Sequence, residues 1–210
     1  LTADCVRATA DDQWFDANRP AVDRLAAYLL QLRHNSRRDQ AADAVSRGLL
    51  FGGAEADNHK SPDYFFSGSA WAWRGLLETA QLFVEMGGRR NDPRLTGRGE
   101  ELLAECEELR SDLLRSVSRS IVTSGDRPFL PPIAGFDKPF ADMTQDRLAS
   151  YTNYRYWLET LSAGCLTAEQ ERMIFDYRVS QGGEILAGTR FQDHMDNWPY
   201  WHYAHGLIAH

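Results

Sequence analysis

SAWAWRGLLETAQLFVEM, residues Ser69 to Met86, followed at once by Gly87-Gly88, decides the fold class. Trp73, Leu76, Leu77, Ala80, Phe83 and Val84 recur at helical spacing and cover much of the cylinder, which predicts a helix buried on most sides. The paired glycines read as its C-terminal stop. Downstream, Leu102, Cys106, Leu109, Leu113, Val117 and Ile121 form one narrow stripe on a helix over about 96–122. Its other faces are charged, with Glu107/Arg110 and Asp112/Arg115 spaced as i,i+3 partners. A helix that is apolar nearly all round, followed by a one-sided helix, predicts an inner helix backed by an outer one.

The pattern repeats outward from there. Leu148, Tyr151, Tyr154, Tyr156, Trp157, Leu158 and Leu161 predict an inner helix over about 144–163, stopped at Gly164. Thr167 with Gln170 makes a capping box for the outer helix that follows and ends at Gly182-Gly183. Tyr200, Trp201, Tyr203, Leu207 and Ile208 begin a further aromatic helix. Upstream, Val22, Leu25, Leu29 and Leu32 lie on one face of a helix expected to start near Asn18-Arg19-Pro20, with proline in its first turn. A short amphipathic piece is expected over about 39–47. Strand signals are confined to Leu49-Leu50-Phe51 and Glu184-Ile185-Leu186, each able to pair only briefly. The reading is all-α, built of antiparallel helical hairpins whose long loops return to one end.

Composition sets the outer bounds. The 210 residues carry 43% hydrophobic and 25% charged side chains, an ordinary globular balance suited to one domain or a section of one. The net charge of −7, with basic residues scattered, argues against a nucleic-acid partner. No apolar run approaches the ~20 residues of a membrane span. Cys5, Cys106 and Cys165 are too few and too separated for a disulfide framework or a thiolate zinc site, and Cys106 reads as core. The compartment, cytoplasmic or exported, and the oligomeric state stay open.

Chemistry concentrates in three loops, each just before an inner helix. The first holds Glu55, Asp57 and Asp63 beside Tyr64-Phe65-Phe66, then Trp71 and Trp73. The second holds Asp126, Asp137 and Asp142 beside Phe129, Phe136 and Phe140. The third holds Asp193 and Asp196 beside Phe191, Trp198 and Trp201, with Arg190 and His194 in reach. Sugar recognition uses this mixture, because flat aromatic faces stack on pyranose rings while carboxylates accept bonds from hydroxyls. Cleaving a glycosidic bond needs two carboxyl groups, one protonated as acid and one ionised as base or nucleophile.

GAEADNHKSPDYFFSGSAWAWRGL (Gly53 to Leu76), ASYTNYRYWLETL (Ala149 to Leu161) and TRFQDHMDNWPYWHYAHGL (Thr189 to Leu207) resemble segments of bacterial six-hairpin glycosidase-like proteins. The resemblance covers the chain from about residue 45 onward. It implies an (α/α)6 toroid of alternating inner and outer helices with the active site at one end of the barrel. It also implies acid and base roles for Glu55 or Asp57 and for Asp193 or Asp196. A complete toroid needs roughly 350–400 residues, so the chain is expected to be a partial or truncated barrel, incomplete at both ends. Tyr64, Trp71, Arg190, His194, Trp198 and Trp201 are the expected substrate contacts, with no cofactor.

Plainer roles compete for some of these residues. Asp142 with Gln145 fits a capping box, and Asp63 after Pro62 fits a turn. Trp73, Tyr154, Trp157 and Tyr203 sit at helical spacing and read as inner-wall core. His202 and His205 are i,i+3 on one helix, but no third ligand is fixed beside them, so no metal site is expected. Two other functional classes remain beside a hydrolase: a non-catalytic carbohydrate-binding or scaffold module, and a polysaccharide lyase using a base such as His194.

Overall fold

A computed structural model describes residues 2–53 and 61–196. The described chain is predominantly helical, with one small three-stranded antiparallel sheet near its end. A short helix α1 (Thr2–Thr9) precedes the long α2 (Asp12–Asp39), α3 (Phe66–Arg90) and α4 (Pro93–Ser120). A second rod consists of α5 (Arg147–Tyr151), a π-helical turn over Thr152–Tyr156 and α6 (Trp157–Ala163). Helix α7 (Ala168–Ser180) and strands β1 (Glu184–Ile185), β2 (Gly188–Phe191) and β3 (His194–Met195) complete it.

The α3–α4 hairpin is the centre of the core. Along α4 the expected stripe is sealed, with Leu102, Cys106, Leu109, Leu113 and Val117 at most 1% exposed. Each such leucine contributes ~2 kcal/mol of apolar burial. The two helices approach closely at Gly99, where a Cβ would lie 2.7 Å from Val84 Cγ2 and 2.8 Å from the Ala80 carbonyl. Gly87 and Gly88 do not end α3, contrary to the sequence expectation. The helix runs on to Arg90 and is capped by Asn91 in the left-handed conformation. Gly87 is there for space, since a Cβ would meet Thr96 Oγ1 at 2.3 Å.

Other boundaries also move for local reasons. Helix α2 begins six residues before Asn18, because Asp11 caps it by accepting from the Trp14 amide and Phe15 extends the buried face. Pro20 therefore lies inside the helix, on an exposed side where water can reach the carbonyl it leaves unbonded. The expected amphipathic piece at 39–47 is a series of turns, with bonds from the Ala44, Arg47 and Leu49 amides to carbonyls three residues back. Asp146 caps α5 by accepting from the Ala149 amide. Asp142, expected to be the cap, accepts instead from the Thr144 amide and hydroxyl in a turn before the helix. The Thr167–Gln170 capping box, the Gly164 stop and the Gly182 turn stand where expected.

Helix α2 runs antiparallel to α3, with Phe15 edge-on to Phe83 at 6.1 Å and Arg90 paired with Asp16 at 2.6 Å. It is tied to α4 by charge. Asp112, 1% exposed, accepts from Arg33 at 3.1 Å, Arg37 at 2.8 Å and Arg115 at 2.8 Å. Burial opposes ionisation there, yet the Arg37 hydrogen bond and the surrounding guanidinium groups hold the carboxyl below its ordinary range. Gly48, at φ +88°, passes directly over this carboxylate.

The hairpin geometry brings the loop ends together. Gly52 and Asp63 exchange backbone hydrogen bonds at 3.2 and 2.9 Å. Phe66 N–H donates to Pro132 at 3.0 Å, and Ala134 N–H to Tyr64 at 3.1 Å, joining the first loop to the second. Met143 N–H donates to Gln181 at 3.1 Å, which brings the start of the third loop alongside. No described helix is long and apolar enough to cross a membrane.

Candidate functional site

Where these loops meet, a second apolar cluster forms beside the main core, with Phe136 and Leu148 packed against both. It contains Phe65, Ile133, Tyr151 and Tyr156, with Phe136, Leu148, Tyr154 and Phe191 packed against it. The first loop thus contributes Phe65, the second Ile133 and Phe136, the third Phe191, and the α5–π-turn rod the tyrosines. Tyr156 meets Phe65 at 5.1 Å and stacks near Tyr151 at 6.3 Å. Phe191 lies 4.5 Å from Tyr154 and 5.2 Å from Tyr151. Arg147 sits over the Tyr151 ring at 5.6 Å. Phe65, Tyr151 and Tyr156 are buried support, while Tyr154 and Phe191 are half-exposed.

The three-stranded sheet delivers polar groups to that half-exposed surface. Strand β2 pairs with β1 through Glu184↔Thr189 and Ile185↔Gly188, and with β3 through Arg190↔Met195 and Phe191↔His194. The Asp196 carboxylate accepts from the Tyr154 hydroxyl at 3.1 Å. His194 lies edge-on to Phe191 at 5.8 Å and contacts Asp193 through Nδ1 at 3.1 Å. Asp193 is 96% exposed, and the His194 ring holds its carboxyl below the usual range. Arg190 donates to the carbonyls of Gln192 and Gly182 and approaches Asp142 at 4.0 Å. Ring faces, a carboxylate and an imidazole therefore share one surface, while Arg190, adjacent to Phe191 on β2, turns to the other side of the strand.

The expected site residues divide in their placement. Asp196 and His194 lie beside Tyr154 and Phe191, Asp193 is bonded to His194, and Arg190 on β2 turns away to Gly182, Gln192 and Asp142. Tyr64 is partly buried at the junction of the first two loops, 5.1 Å from Phe51. Trp71 lies elsewhere: it is 40% exposed and lines a groove of about 440 Å³ with Leu25 and Leu29 of α2 and Arg74 of α3. Asp63 fixes the neck it shares with Gly52, its Oδ1 accepting from the Tyr64 amide at 2.7 Å. Glu55, Asp57, Trp198 and Trp201, with His202, Tyr203 and His205, lie outside the described residues. Among the described residues no group of three His, Cys, Asp or Glu side chains is arranged to hold a metal ion.

Several residues gain a role that their sequence context had not given them. Tyr154, read as inner wall, projects its hydroxyl to Asp196. Asn153 is fully buried and bonded to the third loop, and an asparagine amid the helical run Tyr151 to Trp157 was the available signal, given its poor helix propensity. Glu159, one turn beyond, is buried beside Arg155 at 2.9 Å. Desolvation raises its pKa, with Arg155 opposing the shift. A π turn within a helix often accompanies a functional site, and this one carries Asn153, Tyr154 and Tyr156.

No known protein family, no curated protein and no solved structure matches the chain.

Proposed function

We propose that this chain is a section of an (α/α) toroid of the six-hairpin glycosidase type, and that the rim where its loops meet cleaves glycosidic bonds. The observation that carries the reading is the half-exposed Tyr154–Phe191 surface with the Asp196 carboxylate fixed at its edge by Tyr154. The rings offer flat faces to a pyranose, and Asp196 is an oriented carboxylate suited to act as base or nucleophile. Asp193 does not suit the acid role, because a solvated carboxyl held below its ordinary range by His194 has no means of keeping a proton near neutral pH. That role is assigned to the first loop, to Glu55 or Asp57. His194, beside Phe191, is a candidate to bind hydroxyls, and Arg190, Trp198 and Trp201 are further candidates in the same loop.

One observation favours a second reading. His194 is oriented by a carboxylate, the arrangement a general base needs, and a lyase would use it to abstract a proton beside a uronate carboxyl. The test is a panel of soluble polysaccharides and aryl glycosides assayed with the wild-type chain and with Asp196→Asn. Hydrolysis that falls at least ~100-fold in the variant supports the glycosidase reading, and hydrolysis unchanged by the substitution refutes the role of Asp196. Unsaturated products absorbing in the near ultraviolet identify a lyase. Glycan binding with no cleavage identifies a non-catalytic module.

A further inference from the structure

We propose that Asn153, within the π turn, is a positioning residue that sets the Asp196 carboxylate against the Tyr154 hydroxyl. The significance of that setting rests on reading the rim as a sugar site; the coupling itself stands on the geometry. The Asn153 amide is used on both ends. Its Nδ2 donates to the Gly183 carbonyl at 2.8 Å and the Arg190 carbonyl at 2.6 Å, while its Oδ1 accepts from Arg178 Nε at 2.8 Å. One side chain thus grips the start of the third loop, the middle of β2 and the buried Arg178 of α7.

The grip is passed to Asp196 through the sheet. Arg178 Nη2 donates to Thr189 Oγ1 at 3.3 Å, and the Thr189 carbonyl accepts the Asp196 amide at 2.9 Å. Strand β2 is therefore held at two consecutive residues, and it holds the Asp196 backbone in turn. The residue after Asn153 completes the circuit, since Tyr154 donates to Asp196 Oδ2 at 3.1 Å. Within the π turn, Asn153 holds the strand while the next residue, Tyr154, holds the carboxylate. Gly183 belongs to the same device, because a Cβ there would lie 2.4 Å from Asn153 Oδ1.

Amide hydrogen exchange on the whole chain tests the coupling. Asn153→Ala removes the grip, and Thr189→Val removes only the hydroxyl that receives Arg178. Asn153→Ala is expected to lower protection of the Asp196 amide by about tenfold, the scale of one hydrogen bond's net contribution, with α3 and α4 amides unchanged. Thr189→Val is expected to act in the same direction by a smaller factor. Unchanged Asp196 protection in Asn153→Ala overturns the proposal, as does an equal loss throughout α3 and α4, which would mark a general structural role. Should Asn153→Ala not fold, Thr189→Val decides, and full retention of Asp196 protection in it overturns the proposal. In glycan binding, Asn153→Ala should weaken affinity to the level of Asp196→Asn. If the wild type binds and cleaves no glycan, the functional reading fails while the exchange result still decides the coupling.

Discussion

Replacing Asp112 by asparagine keeps the shape of a buried side chain and removes the charge on which three arginines converge. Breaking a buried pair from one side ordinarily costs 3–5 kcal/mol, roughly, because the partner is left buried and uncompensated. Here the cost is smaller for a structural reason. Arg37 and Arg115 are 32% and 37% exposed and can turn to water, whereas Arg33 is 1% exposed but keeps Glu105 and Glu108. The expected loss is therefore about 2–3 kcal/mol, the part belonging to Arg33 and to the lost tie between α2 and α4. For a chain of this size that lowers Tm by about 4–12 °C. Urea unfolding followed by circular dichroism should show a lower midpoint with an unchanged slope. Glu101→Gln, which removes an exposed partner of Arg98, serves as control and should cost under ~0.5 kcal/mol. The sign with pH follows from the depressed Asp112 pKa. Its stabilisation is present above the unfolded value and lost as pH falls through the folded one, so wild type and variant should converge below pH ~4. A loss under ~1 kcal/mol at neutral pH would refute the view that Asp112 ties these helices together.

The turn between β1 and β2 places Leu186 and Ala187 at φ 50° and 63°, the conformations that Asn-Gly occupies with least strain, and leaves Leu186 94% exposed. Leu186→Asn with Ala187→Gly should stabilise the chain by about 2 kcal/mol, raising Tm by about 4–8 °C; an unchanged or lower Tm would show the turn to be unstrained. Glu159, with its pKa raised by burial, contributes stability that is present below the ordinary glutamate value and lost as pH rises through the folded one. The stability of wild type relative to Glu159→Gln should therefore fall from pH ~4 upward, and a flat or rising difference would contradict the assignment.

The α3–α4 hairpin was legible because burial there follows the apolar period, residue by residue. Glycines were read less well, since Gly87 answers to the approach of Thr96 from the next helix and not to its own backbone. Asp142 and Asp146 are both aspartates ahead of one helix, and local pattern alone could not rank them. The π turn had no periodic signature, and the partners of its Asn153, which are Gly183, Arg190 and Arg178, lie up to 37 residues away. The β1–β2 hairpin was only partly visible for the opposite reason, because Leu-Ala replaces the turn residues that announce such a hairpin. At the rim, Asp193, Asp196, Arg190 and His194 were identifiable as one loop's polar set, while the support from Tyr151 and Tyr156 is a product of tertiary packing. Trp71 shows the limit of proximity in sequence, for its place on α3 turns it to the α2 side.

The Gly52–Asp63 pair gives the first loop a consequence for divergence. Two residues bonded to each other bracket that stretch, so the first loop closes on a fixed pair of ends. Doubling its length would add only ~0.6 kcal/mol of closure entropy. An insertion between these ends would leave their spacing unchanged, because the bonds that set it run through Gly52 and Asp63 themselves.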